Sequence, residues 1–348
     1  MVLELHMIKY LGSKRLLLTT ISDIIGTIPD VHSVIDLFSG TSRVGHHLKS
    51  LGYCVHSNDL NQYAYALATC YVAADKEKYQ TKIERLLNEM SKVPSKEGYF
   101  TETFCRQSMF FQPHNGMRVD AMRDWIEEKN FDWTTKAILL VSLMEAADRV
   151  DSTCGQQMAF LKKYAKRSFQ NLELRMPELV GSSAFGVSTA RCSDARDAAK
   201  VLQADVAYLD PPYNQHKYRS NYHIWDTLVR WDKPEAYGVA RKRVDVRTHQ
   251  SVFNRKREIL EAMQDVVDSL QTRYLVVSFN NEGYISKDDM VRLLSKKGKV
   301  VVYENEYKRY VGAQIGIHNP EGKKVGNVSH LKNKEYIFVV GDDLSFLR

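Results

Sequence analysis

In Asp210-Pro211-Pro212-Tyr213 a carboxylate, two ring-locked residues and an aromatic side chain follow one another directly. Each proline fixes its own φ, biases the residue before it towards extended geometry, and cannot donate to a strand ladder. The preceding Ala204-Asp205-Val206-Ala207-Tyr208-Leu209 reads as a buried strand. The turn therefore falls at a strand's carboxyl end, where open α/β sheets bind their ligands. It offers one carboxylate, one backbone carbonyl free of ladder bonds and one aromatic face, a trio suited to a planar ring that carries an amine. The same four residues also suit an ordinary strand-ending turn, so other segments must decide.

Two earlier segments supply a second chemistry. Ser33-Val34-Ile35-Asp36-Leu37-Phe38 reads as a strand, and Ser39-Gly40-Thr41-Ser42-Arg43-Val44-Gly45 as a small-residue turn that opens a helix. Strand, glycine turn and helix begin a nucleotide-type βαβ unit. Ser42 stands where the second glycine of G-x-G-x-x-G would be. A dinucleotide needs that glycine so that the backbone can approach its pyrophosphate, whereas a ligand without phosphates does not need it so strictly. An adenosine-containing cofactor such as S-adenosylmethionine is favoured over NAD. A second strand, residues 53–61, ends in Asp59, 19 positions beyond Gly40, the spacing at which an acid accepts both ribose hydroxyls. Nearer the start, Tyr10-Leu11-Gly12-Ser13 reads as a turn feeding an amphipathic helix, with Ser13 as its N-cap and free backbone N–H groups suited to an anion.

These pieces need a frame to hold them. The βαβ rhythm stops near Asp75 and resumes with a strand in 186–196, followed by a short helix and the strand before Asp210. Later come a helix over 259–272, a strand over 273–280, a helix over 287–296, and strands over 299–303 and 336–340. Between the two halves the pattern predicts helices over 76–92, 119–129 and 134–150, irregular chain over 94–120, and a helix over 156–171. In that last helix Lys162, Lys163, Lys166 and Arg167 would form one basic face. The expected fold is α/β: a Rossmann-like sheet formed by 1–74 and 183–348, with 75–182 as an inserted, mostly helical module.

The 348 residues carry 49 Lys and Arg against 42 Asp and Glu, a net charge of +7. Residues 214–257, starting immediately after the Pro-Pro-Tyr turn, hold eleven of the cations and only four acids, an excess equal to that of the whole chain. Such a run suits phosphate contact, although most charge runs are simply solvated surface. The five cysteines are odd in number and widely spaced with no C-x-x-C pair, which argues against zinc and against a disulfide framework. A reducing cytoplasm is the expected compartment. No basic-then-apolar leader opens the chain and no apolar run approaches a bilayer-spanning length, so no membrane partner is expected.

The order Lys9-Tyr10-Leu11-Gly12-Ser13-Lys14, Asp36-Leu37-Phe38-Ser39-Gly40, Asn58-Asp59-Leu60-Asn61, an insertion, and Asp210-Pro211-Pro212-Tyr213 resembles the alpha group of adenine-N6 DNA methyltransferases. That group includes DNA adenine methylases and modification enzymes of restriction systems. The resemblance implies a Rossmann-like S-adenosylmethionine-dependent methyltransferase sheet with 75–182 as target recognition domain and 214–257 as a DNA-contacting segment. It implies that Tyr10 and Lys14 contact the cofactor, that Asp36 and Gly40 lie under its methionine, that Asp59 binds its ribose, that Asp194 sits near its adenine, and that Phe38 and Asp210 also contact it. Asp210, Pro211 and Tyr213 would be catalytic: the carboxylate and the Pro211 carbonyl accepting the amino hydrogens of an extruded adenine, Tyr213 stacking on it. Lys162, Lys163, Lys166, Lys217, Arg219, Arg241, Lys242 and Arg243 are the expected contacts to double-stranded DNA. A cognate restriction endonuclease would share the target sequence without a stable complex.

Two alternatives stand beside that reading. Cytosine-N4 methyltransferases resemble this pattern, as do glutamine-N5 protein methyltransferases, but they usually carry Ser or Asn at the position of Asp210. A non-catalytic DNA-binding protein that kept the fold would show erosion of Asp210 or Tyr213, and both are present. Cytosine-C5 chemistry would need a Pro-Cys pair, which the sequence lacks.

Overall fold

A computed structural model describes residues 7–12, 14–215, 217–248, 251–308, 317–318, 324–326 and 332–347. Ser13, the expected N-cap, lies outside them. Seven strands form one sheet: β1 (Ser33–Asp36), β2 (Cys54–Asp59), β3 (Thr189–Cys192), β4 (Val206–Leu209), β5 (Tyr274–Asn280), β6 (Lys299–Lys308) and β7 (Lys332–Gly341). Their spatial order is β3-β2-β1-β4-β5-β7-β6. The first five run parallel, and β7 enters antiparallel between β5 and β6. The order reverses at β1, between β2 and β4, and a crevice at that switch point is where a doubly wound sheet takes its ligand.

Strands buried on both faces read as continuous apolar runs, and β4 is buried at every residue. Side chains alternate between two cores. Val34, Val55, Val206, Tyr208 and Val276 face one of them, while Ile35, Ala207, Leu209, Leu275 and Val277 face the other. The second core is closed by helices α7 (Ala195–Val201), α9 (Ile259–Ser269) and α10 (Lys287–Leu294). The first is closed by α1 (Leu18–Thr27), α2 (Arg43–Ser50) and α3 (Gln62–Ala68), and also by α4 (Lys76–Ser91), α5 (Pro113–Glu128), α6 (Trp133–Arg149) and α8 (His223–Arg230). The helices of the 75–182 insertion thus share one apolar cluster with the sheet face.

Several expected elements differ. The helix read as starting at 119 begins at Pro113, because a proline at the first turn loses no hydrogen bond there and has its φ already set for a helix. The basic helix over 156–171 is absent; that stretch is irregular except for a short 3-10 turn at Lys166–Phe169. Its backbone groups are taken by tertiary partners instead. Leu161 N donates to Ser152 O at 2.9 Å, Ala165 N to Ser152 Oγ at 3.0 Å, and Arg167 is drawn to Asp151 Oδ1 at 2.7 Å. Strands β6 and β7 run ten residues each, longer than the expected 299–303 and 336–340. Their polar ends read as loop in sequence, yet they pair in continuous antiparallel register. Among the described residues no helix is long and apolar enough to cross a membrane.

Candidate functional site

The carboxyl ends of β1, β2 and β4 open into a cavity of about 340 Å³. Tyr10, Lys14, Asp36, Phe38, Gly40, Asp59, Asp194 and Asp210 all line it. On one side, Gly40 adopts φ +51°, and a Cβ there would come within 3.3 Å of the Tyr10 ring. Its N–H donates to Asp59 Oδ2 at 2.9 Å, while Asn61 N and Nδ2 donate to Asp59 Oδ1 at 2.9 and 3.0 Å. Asn58, buried beside them, donates through Nδ2 to Leu37 O and Ser193 O, tying the ends of β1, β2 and β3 together. Ser42 sits at φ +61°, the left-handed region a glycine would occupy without strain. The serine keeps the turn shape at a local backbone cost.

Burial, reinforced by the charge of Asp210, pushes the Asp36 carboxyl up to about 7 despite the N–H of Gly45 donating to it at 3.1 Å. Asp194 caps α7, accepting from Arg196 N at 3.0 Å. The lining fits an adenosine-bearing donor. Buried Ser39 Oγ has no hydrogen-bond partner among the described residues, Gly40 leaves room that a side chain would fill, and Phe38, edge-on to Phe253 at 5.0 Å, presents an aromatic ring. With the Tyr208 hydroxyl, also buried and without a partner among those residues, such a lining provides two unsatisfied hydroxyls, a carboxylate and an aromatic ring.

On the other side, Asp210 Oδ1 lies 3.1 Å from Lys14 Nζ, and the same ammonium is bonded to Glu335. Glu335 is 2% exposed; it accepts from Ser278 Oγ at 2.8 Å and from Asn280 Nδ2 at 3.2 Å. The Lys14 ammonium, expected at the cofactor, is therefore directed to two carboxylates. Burial pushes the Asp210 carboxyl up to about 6, with Lys14 working against that shift and Glu335 adding to it. Burial would also raise Glu335, but Lys14, Ser278 and Asn280 hold it below its ordinary value.

The aromatic wall departs from expectation. Tyr213 packs against Phe279, ring centroids 5.8 Å apart, and is not among the described residues lining the cavity; Pro212, not Pro211, reaches it. Tyr218 does line it, in a stack with Tyr10 at 5.2 Å, while Tyr222 covers Tyr10 at 4.6 Å. A tyrosine five positions past the Pro-Pro-Tyr turn has no distinguishing mark in sequence. Neither has Glu335, which stands just before a stretch read as an ordinary strand.

The expected DNA contacts divide. Lys162, Lys163 and Lys166 are exposed, but the first two lie on irregular chain and Lys166 opens the short 3-10 turn, so they share no helix face. Arg243 is corrected outright: it is 2% exposed and forks onto Asp232, Nη1 and Nη2 each at 2.7 Å, and onto Asp245. Arg219 is held by Asp245 at 2.9 Å and faces Asp226 at 3.6 Å, and Arg241 donates to Gln107. Burial would raise Asp245, yet its bonds from Arg243 and Arg230 hold it well below the usual carboxylate range. These arginines fold the segment onto its own acids. Lys217 and Lys242, by contrast, form no ion pair among the described residues. Together with Arg247 they line a second cleft of about 430 Å³, which shares Lys217 with the first.

A β1–β4 switch-point cavity lined by a glycine turn, the acid at the end of β2 that the turn bonds to, and an Asp-Pro-Pro-Tyr carboxylate defines a class of enzyme. The family model described as D12 class N6 adenine-specific DNA methyltransferase matches residues 10–293, and the chain belongs to that family. Its methyl donor is S-adenosylmethionine. The chain is 30% identical to "Type II methyltransferase M.NlaIII" of Neisseria lactamica over 94% of its own length and 99% of that protein. It is 30% identical to "Type II methyltransferase M.CviAII" of Paramecium bursaria Chlorella virus 1 over 97% of its own length and 99% of that one. "Type II methyltransferase M.FokI" of Planomicrobium okeanokoites is 28% identical, and the chain spans 53% of it. Among solved structures, TehB from Haemophilus influenzae aligns over 92% of this chain and 62% of that chain at 10% identity, with a TM-score of 0.33. The fold assignment rests on the strand order above.

Proposed function

We propose that this protein is a site-specific, adenine-specific DNA methyltransferase that methylates N6 within one double-stranded DNA sequence as the modification enzyme of a restriction system. The observation that carries the reading is Asp210, held by Lys14 in the cavity that Gly40 and Asp59 shape for an adenosine-bearing donor. The names of the full-length relatives support the pairing with a restriction endonuclease, which would recognise the same sequence without a stable complex. The insertion 75–182 is proposed as the target recognition region, and the cytoplasm as the compartment.

The chemistry follows from the residue types. Bound S-adenosylmethionine supplies a methyl group on a sulfonium. Adenine's amino lone pair is delocalised into the ring, so the amine must be made pyramidal before it attacks. The Asp210 carboxylate would accept one of its hydrogens and aim the lone pair, with positioning and electrostatics as the main contributions; Pro211 does not line the cavity, so its carbonyl would take the other only after the turn shifts. The base has to leave the duplex first, and stacking on an aromatic ring offsets part of a cost of a few kcal/mol. Tyr218 presents such a ring to the cavity; Tyr213 would have to turn from Phe279 to do so.

Long-read methylation mapping of DNA from cells expressing the protein tests the reading, with N6-methyladenine expected in one short sequence. Methylation of cytosine, or no mark at all, would sink it. The phosphate contacts are tested separately. Lys242→Gln with Arg247→Gln is expected to flatten the slope of log affinity for duplex DNA against log salt by about two. An unchanged slope would return the second cleft to plain solvated surface.

A further inference from the structure

We propose that Glu335 is a positioning residue for methyl transfer, acting through Lys14 to orient Asp210 and to keep the buried cluster negative. The inference rests on the adenine-N6 reading of the site. Glu335 lies on β7, opposite Asn280 of β5 in the ladder, and meets the cavity-lining Lys14 from a strand distant in sequence from every motif. Its two oxygens are engaged by Ser278 Oγ at 2.8 Å and Asn280 Nδ2 at 3.2 Å, which leaves the carboxylate little freedom to turn. Lys14, 8% exposed at its side chain, is bonded to Glu335 and lies 3.1 Å from Asp210 Oδ1. With Oδ1 engaged by the ammonium, Oδ2 is the oxygen left to accept from a substrate amine.

The charge count gives the second half of the argument. Lys14 and Asp210 alone would form a neutral pair. During transfer the reacting nitrogen gains a bond to carbon and becomes cationic, while the donor sulfur keeps the electrons of the broken bond and becomes neutral; the nitrogen then loses one of its protons through Asp210 to solvent. Positive charge thus moves towards Asp210. A preorganised negative group near that charge lowers the barrier only if a counterion does not already cancel it. Glu335 takes up the lysine charge and leaves Asp210 effectively anionic. The charge of Asp210 is felt in turn at Asp36, Tyr208 and Tyr218, the other titratable groups around it. Glu335 stands apart from them in touching the lysine.

The test is Glu335→Gln, which keeps the shape and hydrogen-bonding reach but removes the charge. The expected result is a fall in kcat of at least about tenfold, with KM for DNA and for S-adenosylmethionine within about twofold of the parent. Because Glu335 raises the Asp210 carboxyl, removing its charge should move the acidic limb of the single-turnover rate to lower pH. A carbon-13 titration of the Asp210 carboxyl, assigned by its loss in Asp210→Asn, should show the same downward movement without any turnover. Ser278→Ala, which frees Glu335 to turn, should lower kcat in the same direction by less, and decides the matter if Glu335→Gln fails to fold. A kcat within about twofold of the parent, or an Asp210 titration that does not move, would overturn the proposal. Failure of the wild type to methylate adenine would instead strike the functional reading, and the titration would still report on the Glu335–Lys14–Asp210 chain.

Discussion

Asp210→Ala is expected to lower the rate of methyl transfer by about a thousandfold, the scale of losing a preorganised group aimed at developing charge. Lys14 would retain Glu335 as its partner, so no uncompensated buried cation results. The cofactor side of the cavity is built on Gly40, Asp59 and Phe38, residues at the ends of β1 and β2 rather than of β4. Equilibrium binding of S-adenosylmethionine should accordingly weaken by less than about tenfold. Turnover retained within tenfold of the parent would remove Asp210 from the chemistry. The pH dependence has a definite sign. The acceptor is the ionised carboxylate, and its carboxyl stands at about 6, so the single-turnover rate under saturating cofactor should rise as pH passes upward through 6 and level off above it. If Asp36, at about 7, serves the donor side as proposed, its ionisation should appear in cofactor affinity rather than in the saturated rate.

Arg243→Met is expected to cost about 3 kcal/mol of stability, as when one member of a buried ion cluster is removed and its partners are left. Arg243 forks onto Asp232 and reaches Asp245, and Asp226, 1% exposed, lies 4.0 Å away. Burial raises the Asp226 carboxyl, and Arg219, Arg243 and Arg230 are the cations that oppose the shift. Without Arg243 three acids face two arginines in a partly closed space. Chemical denaturation should show the loss, and the salt dependence of DNA binding by the folded fraction should keep its slope. Parent-like stability with a flattened slope would reverse that reading and make Arg243 a phosphate contact.

The two arginine outcomes show why a charge run is hard to read from sequence. Residues 214–257 contain the whole chain's positive excess, but sequence order does not reveal which cations lie against Asp226, Asp232 and Asp245. Folding sorts them: Arg219, Arg230 and Arg243 converge on those acids, while Lys217, Lys242 and Arg247 line an open cleft. The basic helix of 156–171 failed for a related reason. Spacing of lysines supports a helix only if the backbone is free to form one, and here Asp151 and Ser152 draw the chain into tertiary bonds.

What the sequence determined by itself was the set of local signals whose meaning does not depend on distant chain. A glycine turn after a strand, an acid 19 residues on, and two prolines behind an aspartate constrain backbone shape wherever they occur. All eight residues read as cofactor contacts line one cavity: six sit at or just past the carboxyl ends of β1–β4, which a parallel sheet brings together, and Tyr10 and Lys14 reach it from the segment before α1. Only the tertiary structure decided what surrounds Asp210. Tyr218 replaces Tyr213 on the cavity wall because the ring five residues later stacks under Tyr10, whereas Tyr213 finds Phe279. Glu335, 125 positions from Asp210, meets it through Lys14 because β7 enters antiparallel beside β5. That long-range register turns an acid at the edge of an ordinary strand into the second partner of the lysine that holds Asp210.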